Sequence, residues 1–271
     1  MAENIGAAIG VFDSGVGGLT VVRALRRALP AEALVYLGDT ARLPYGNKSP
    51  ETVRRYSRLN VDFLLGRGVK LVLIACNTAS AVALPAMADE LSVPVLGAVE
   101  PGARAAARAS RSRRVGVIGT LGTVRSGAYV RALHAIDHSL AVVQHACPLL
   151  VPLAEEGWTD DAVTVTIAER YLTELCALDP DVDTLVLGCT HYPILKPALA
   201  RAAERVFGRP LTLVDSADAM AAEAAAILGE RHALATGTGT LDCFVTDHAR
   251  ITELGPRFLG EDPGPVGVVD L

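Results

Sequence analysis

A chain of 271 residues with 51% hydrophobic and 20% charged residues can bury a large core, which excludes a disordered polypeptide. A formal net charge of −5 leaves no basic footprint for nucleic acid, and the one short basic cluster, RSRR at 111–114, reads as a solvated turn. Five cysteines, Cys76, Cys147, Cys176, Cys189 and Cys243, are odd in number and form no C-x-x-C pair, so reduced thiols are expected in place of a disulfide framework or zinc ribbon.

Taken in chain order, short apolar runs alternate with amphipathic stretches. AAIGVF predicts a strand, FDSGVGGLT a Gly-rich turn and GLTVVRALRRAL a helix, after which ALVYLG predicts a second strand. No basic leader precedes the first apolar run and Glu3 lies ahead of it, so no secretory signal is expected and the expected location is cytoplasmic. A helix is expected from about Pro50, with Ser49 as its cap and Val53, Tyr56, Leu59 and Phe63 on one face. KLVLIAC predicts the third strand, followed by a helix through Ala79 to Leu91. Residues 71–88 carry no charge and approach a bilayer-spanning length, but Asn77, Thr78, Ser80 and Pro85 divide them into strand, turn and helix, so no membrane partner is expected.

From about Arg113 the rhythm restarts with RRVGVIG, SLAVVQHA and DTLVLGC, each followed by a helical stretch. IGVFDSGVGGLTVVRAL (9–25) and VGVIGTLGTVRSGAYVRAL (115–133) share a strand, a small Gly-rich turn and a helix ending in R-A-L. After LTLVDSADAMAAEAAAIL come a Gly/Thr-rich loop at 236–240, a strand TLDCFVTD, a helix and a Pro/Gly-rich tail. The pattern predicts an α/β protein of two similar domains, each a mostly parallel sheet flanked by helices and related by pseudo-symmetry. The first domain is expected to be discontinuous, residues 1–98 plus 211–271, with residues 99–210 forming the second.

In such sheets ligands gather beyond the carboxyl ends of the strands, where Asp13, Asp39, Cys76 and Cys189 all fall. FDSGVGGLT could serve a dinucleotide, but Thr20 replaces the third glycine of the fingerprint and Asp13 would repel a pyrophosphate; the alternative for its glycines is a tight turn alone. Cys147, Cys176 and Cys243 read as small buried hydrophobes. Cys76 and Cys189 differ, because each precedes a turn into a helix, where a thiolate is favoured and the group can act as base or acid. His191 and Asp13 are candidate auxiliaries. C-x-H is not a usual zinc spacing, and His134 and His138, at helical spacing without a third ligand, read as solvated, so no metal is expected.

FDSGVGGLTV, YLGDTARLPYG, ACNTAS, CPLLVPLAEEG, LVLGCTHYP and VDSA, in this order from residue 9 to about 217, together resemble the glutamate racemase family. The resemblance implies two α/β domains with the active site between them, no cofactor, neither pyridoxal phosphate nor metal, and conversion of L-glutamate to D-glutamate for peptidoglycan synthesis. It implies Cys76 and Cys189 as acid/base residues on opposite faces of Cα, the first acting on D-glutamate and the second on L-glutamate. Asp13 and His191 would assist them, and Glu155 is a further helper. The implied substrate contacts are Asp13, Ser14, Pro44, Tyr45, Gly46, Asn77, Thr78, Thr190 and His191, with Thr120 and Thr123 as additional candidates. A homodimer is expected. The alternatives are an aspartate or hydantoin racemase with the same cysteine pair, a nucleotide-dependent dehydrogenase, or a non-catalytic amino-acid sensor.

Overall fold

Continuous apolar runs become strands buried on both faces, as a parallel sheet covered by helices requires. The structure, a computed structural model, describes residues 5–248 and 250–271. By contact it divides into two units, residues 1–98 with 217–271 and residues 99–216.

The first unit begins with β1 (Ile9–Asp13), α1 (Leu19–Ala28), β2 (Leu34–Gly38), α2 (Pro50–Gly66) and β3 (Leu71–Ile74). It continues through α3 (Asn77–Val82) and α4 (Leu84–Met87) to β4 (Val95–Gly97). The second unit holds α5 (Val99–Ala109), β5 (Arg114–Gly119), α6 (Leu121–Ser126), α7 (Ala128–Ile136), β6 (Ala141–Ala146), α8 (Leu150–Glu155), α9 (Ala162–Leu178), β7 (Thr184–Gly188), α10 (Lys196–Phe207) and β8 (Thr212–Asp215). The chain then returns to the first unit with α11 (Ser216–Glu230), β9 (Leu241–Val245), α12 (Ile251–Leu259) and β10 (Val266–Val268).

Every strand pairing is parallel. The first sheet runs β10-β9-β2-β1-β3-β4 and the second β6-β5-β7-β8. Stripped of β9 and β10, the two sheets share one order: second strand, first, third, fourth. Each therefore has a switch point between its first and third strands, the crevice where ligands settle in sheets of this class. Beneath it in the first unit, Phe12, Leu37, Val61, Leu64, Val72 and Ile74 form a buried core. Each such large apolar side chain contributes about 1.5–3 kcal/mol on leaving water.

Several expectations are corrected. β8 is hydrogen-bonded to β7, so residues 211–216 belong with the second sheet and the chain returns to the first unit near 217. The helix expected through Ala79 to Leu91 is broken into α3, α4 and a 3-10 turn at Ala88–Glu90, because Pro85 lacks an N–H to donate and its ring crowds the carbonyl four residues back. α2 starts where expected, with Ser49 accepting from the Thr52 N–H at 3.3 Å. Its buried residues, however, are Val53, Ser57, Asn60, Val61 and Leu64, whereas Leu59 is exposed. In the second unit the helix ending in R-A-L is α7, set off from α6 by Gly127 in a left-handed conformation at φ 64°. The short strand β10 lies in the segment read from sequence as a Pro/Gly-rich tail, and β4 in a stretch for which no element was expected. Among the described residues, no helix is long and apolar enough to cross a membrane.

Candidate active site

β1 ends on Asp13, whose carboxylate is fully buried and accepts the Gly15 N–H at 3.1 Å. The glycines of this turn have a packing role. A Cβ on Gly18 would lie 2.4 Å from the Asp13 Cβ, so α1 can approach the strand end only with glycine there. Tyr36, buried in β2, donates its hydroxyl to the Gly15 carbonyl at 2.8 Å and fixes the far side of the turn. Burial first, then the neighbouring Asp13, Cys243 and Cys76, hold that phenol well above its ordinary pKa, so it remains a donor.

Phe12 pairs with Ile74 across β1 and β3, and carrying this register two residues forward brings Ser14 opposite Cys76. The Cys76 thiol donates to Ser14 Oγ at 3.4 Å. Its sulfur also caps α3, accepting the Ala79 N–H at 3.4 Å, so it sits at the positive end of a helix. Asn77 and Thr78, both buried, form the first turn beside it. Pro44, Tyr45 and Gly46 lie in the loop after β2. The Tyr45 side chain is buried, with its hydroxyl bonded to Asp39 and Asn60, so this loop offers a ligand its backbone and not the phenol.

The second unit repeats the plan with different chemistry. Gly119 pairs with Gly188, so the next residues, Thr120 and Cys189, stand opposite each other as Ser14 and Cys76 do. Thr120 caps α6 through the Thr123 N–H at 3.2 Å, and the two threonine hydroxyls lie 3.1 Å apart. Cys189 Sγ lies 4.0 Å from His191 Nδ1, and the Thr190 hydroxyl 3.5 Å from the same nitrogen. His191 Nε2 lies 3.1 Å from Glu155 Oε1, at the end of α8. With its proton on Nε2 the ring donates to the Glu155 carboxylate and turns its Nδ1 lone pair toward the thiol and the Thr190 hydroxyl. Glu155, His191 and Cys189 thus stand in a row, the imidazole between the carboxylate and the sulfur.

Within the first unit the structure brings together Asp13, Ser14, Cys76, Asn77 and Thr78; within the second it brings together Cys189, Thr190, His191 and Glu155. Burial pushes the Cys147 thiol up, and raises the Cys243 thiol to about 11, with Asp242 adding to the effect. Cys176 is half-buried in a groove between α9 and α10, which corrects its reading as a core residue. His134 bonds the Leu140 carbonyl at 3.1 Å. Sequence reasoning missed Tyr36 and Tyr192, the buried tyrosines that brace the two sites; Tyr192 donates to the Cys147 carbonyl at 2.8 Å. The tyrosine in CTHYP was visible, but nothing in its spacing marked that role.

Residues 9–224 match the family model described as Asp/Glu/Hydantoin racemase. A glutamate racemase from Geobacter metallireducens is 53% identical, over 97% of each chain. This chain belongs to the glutamate racemase family. It is an isomerase of the racemase class. Among solved structures, a glutamate racemase isoform from Bacillus anthracis matches with a TM-score of 0.91 at 39% identity, covering 98% of both chains. The glutamate racemase of Francisella tularensis, in complex with D-glutamate, matches with a TM-score of 0.89 at 32% identity, again over 98% of both.

Proposed function

We propose that this chain interconverts L- and D-glutamate by proton transfer at Cα between two thiols, without an organic cofactor or metal. Cys189 as thiolate takes the Cα proton of L-glutamate, the C–H electron pair passes into the substrate's carboxylate, and the Cys76 thiol returns a proton to the opposite face. The reverse direction exchanges the roles. Each turnover leaves the two sulfurs with swapped protonation, and exchange with water resets them. Asp13 serves Cys76 and His191 serves Cys189, with Glu155 behind the imidazole.

The observation that carries this reading is that each unit presents one thiol at its switch point, opposite a hydroxyl residue and beside its own polar assistant. Positioned acid/base groups are worth roughly 10²–10⁴ in rate, so further stabilisation must come from donors around the charge spreading onto the carboxylate. Ser14, the backbone of Pro44 to Gly46, Asn77, Thr78 and Thr190 are assigned to that role. The relatives' names and the D-glutamate complex of one of them support glutamate as the substrate. We place the enzyme in the cytoplasm as a homodimer, and its product in peptidoglycan synthesis.

The test follows the optical activity of L-glutamate with the purified protein in deuterated water, beside a panel including aspartate and a hydantoin. Loss of rotation with deuterium at Cα of the product is expected for glutamate. Inversion without solvent label would defeat the two-thiol mechanism, and turnover of aspartate or the hydantoin alone would replace the substrate.

A further inference from the structure

We propose that Thr246, beyond the region that the family model covers, is a positioning residue that sets the loop carrying Pro44, Tyr45 and Gly46. The proposal rests on the assignment of that loop to substrate contact. β2 and β9 are neighbours in register, Gly38 opposite Val245, so the segments leaving them run side by side. The loop after β2 has two 3-10 turns, Thr40–Arg42 and Tyr45–Asn47, in place of a longer helix or a strand ladder. Its conformation depends on the tethers it makes elsewhere.

Those tethers converge on Asp39, which is fully buried. Its carboxylate accepts from Arg42 Nε at 2.8 Å, from the Tyr45 hydroxyl, and from Thr246 Oγ1 at 2.9 Å. The same Thr246 oxygen accepts the Ala41 N–H at 2.9 Å. Alongside, Thr40 Oγ1 donates to the Asp247 carbonyl at 2.6 Å and accepts the Asp247 N–H at 2.8 Å. Two residues beyond β9 therefore make four hydrogen bonds to Asp39, Thr40 and Ala41. On the other side, the Tyr45 hydroxyl accepts from Asn60 Nδ2 at 3.0 Å. Burial, then the Asp39 carboxylate, push the Tyr45 phenol far above its ordinary pKa, so it stays a donor to Asp39. Arg42 is braced in turn by the Tyr56 ring, 4.8 Å from the guanidinium carbon to the ring centroid. The Asp39 N–H is itself held by the Asp13 carbonyl at 2.9 Å, so Thr246 acts on the Asp39 carboxylate to which the Tyr45 ring is anchored, and on Ala41.

Valine has the shape of threonine and neither hydrogen bond; serine keeps both. In the full-length protein, Thr246→Val is expected to raise the KM for both glutamate enantiomers about tenfold while kcat changes less than about threefold, the signature of binding lost equally in ground and transition states. Thr246→Ser is expected to restore the KM. Hydrogen exchange at amides 40–47 is expected to quicken in Thr246→Val alone. A folded Thr246→Val with the wild-type KM overturns the proposal, as does a Thr246→Ser impaired as badly as the valine variant. Should Thr246→Val not fold, Thr40→Val carries the same expectation and the same refutation. A wild-type protein that leaves glutamate unchanged defeats the proposed function, while faster exchange at 40–47 would still support the tether.

Discussion

Cys76 and Cys189 stand at the same place in two sheets of one strand order, and their assistants come from different places. Beside Cys76 the first strand ends in Asp13, where the register of the second sheet has Gly119. Beside Cys189 the position two residues on is His191, where the first unit has Thr78. The first thiol sits at a helix N-terminus with the Ala79 N–H and the Ser14 hydroxyl for company. The second is followed by a 3-10 turn at Tyr192–Leu195 and has an imidazole backed by a carboxylate. A shared backbone plan therefore fixes where a thiol stands, and single side chains decide what stands beside it. One half sets a helix N-terminus against its sulfur, the other an imidazole.

The comparison breaks first at the thiols. Cys76→Ala and Cys189→Ala are each expected to slow racemisation by roughly 10²–10⁴-fold, read by circular dichroism of glutamate. A variant that keeps full activity removes its sulfur from the mechanism.

The assistants sharpen it next. His191→Asn is expected to cost about 10²-fold in kcat/KM and Glu155→Gln about tenfold. Enantiomers are equal in free energy, so kcat/KM must fall alike in both directions, and the asymmetry is read from α-deuterium isotope effects. With His191→Asn the effect should grow for L-glutamate, whose proton the proposed mechanism gives to Cys189; with Asp13→Asn it should grow for D-glutamate. Equal growth in both directions would show that neither assistant belongs to one thiol.

Packing around the first thiol gives a smaller effect. Gly18→Ala forces a Cβ against Asp13 and is expected to lower stability by about 1–3 kcal/mol, seen as a lower Tm. Gly66→Ala, where the added Cβ meets open space, is the control and should be neutral or mildly stabilising.

The smallest effect is acid stability in the second unit. Burial alone would raise the Asp183 pKa, but bonds from the Ser112 N–H, Ser110, Thr184 and Ser112 outweigh it and hold the group at about 2. A depressed carboxylate stabilises the fold above its unfolded value of about 3.9, and that contribution is lost as pH falls toward 2. Asp183→Asn should cost about 1 kcal/mol at neutral pH, after allowance for solvent screening, and progressively less as pH falls through about 2; a loss that persists undiminished below that would assign the effect to packing.

Much of the site was legible because strand ends announce themselves: an apolar run that stops at a cysteine and turns polar is a local signal, as is Ser49 before Pro50. What was hidden depends on partners distant in sequence. The inward face of α2 holds Ser57 and Asn60, and Asn60 is tolerated in the core because it bonds Tyr45, which no periodicity reveals. β10 has three residues and gains its identity only from β9. Glu155 entered through resemblance, since nothing in AEEG says which carboxylate reaches His191.

The bond between Thr246 and Asp39 joins residues separated by 207 positions. Translation proceeds from the amino end, so a growing polypeptide releases Asp39 and the PYG segment well ahead of the threonine that steadies them. Nascent fragments holding both thiols would still lack a settled ligand pocket. On the proposed tether, the pocket waits for β9 and the residues just past it, and a fragment that stops ahead of Thr246 keeps both thiols yet loses the bonds that hold its PYG segment.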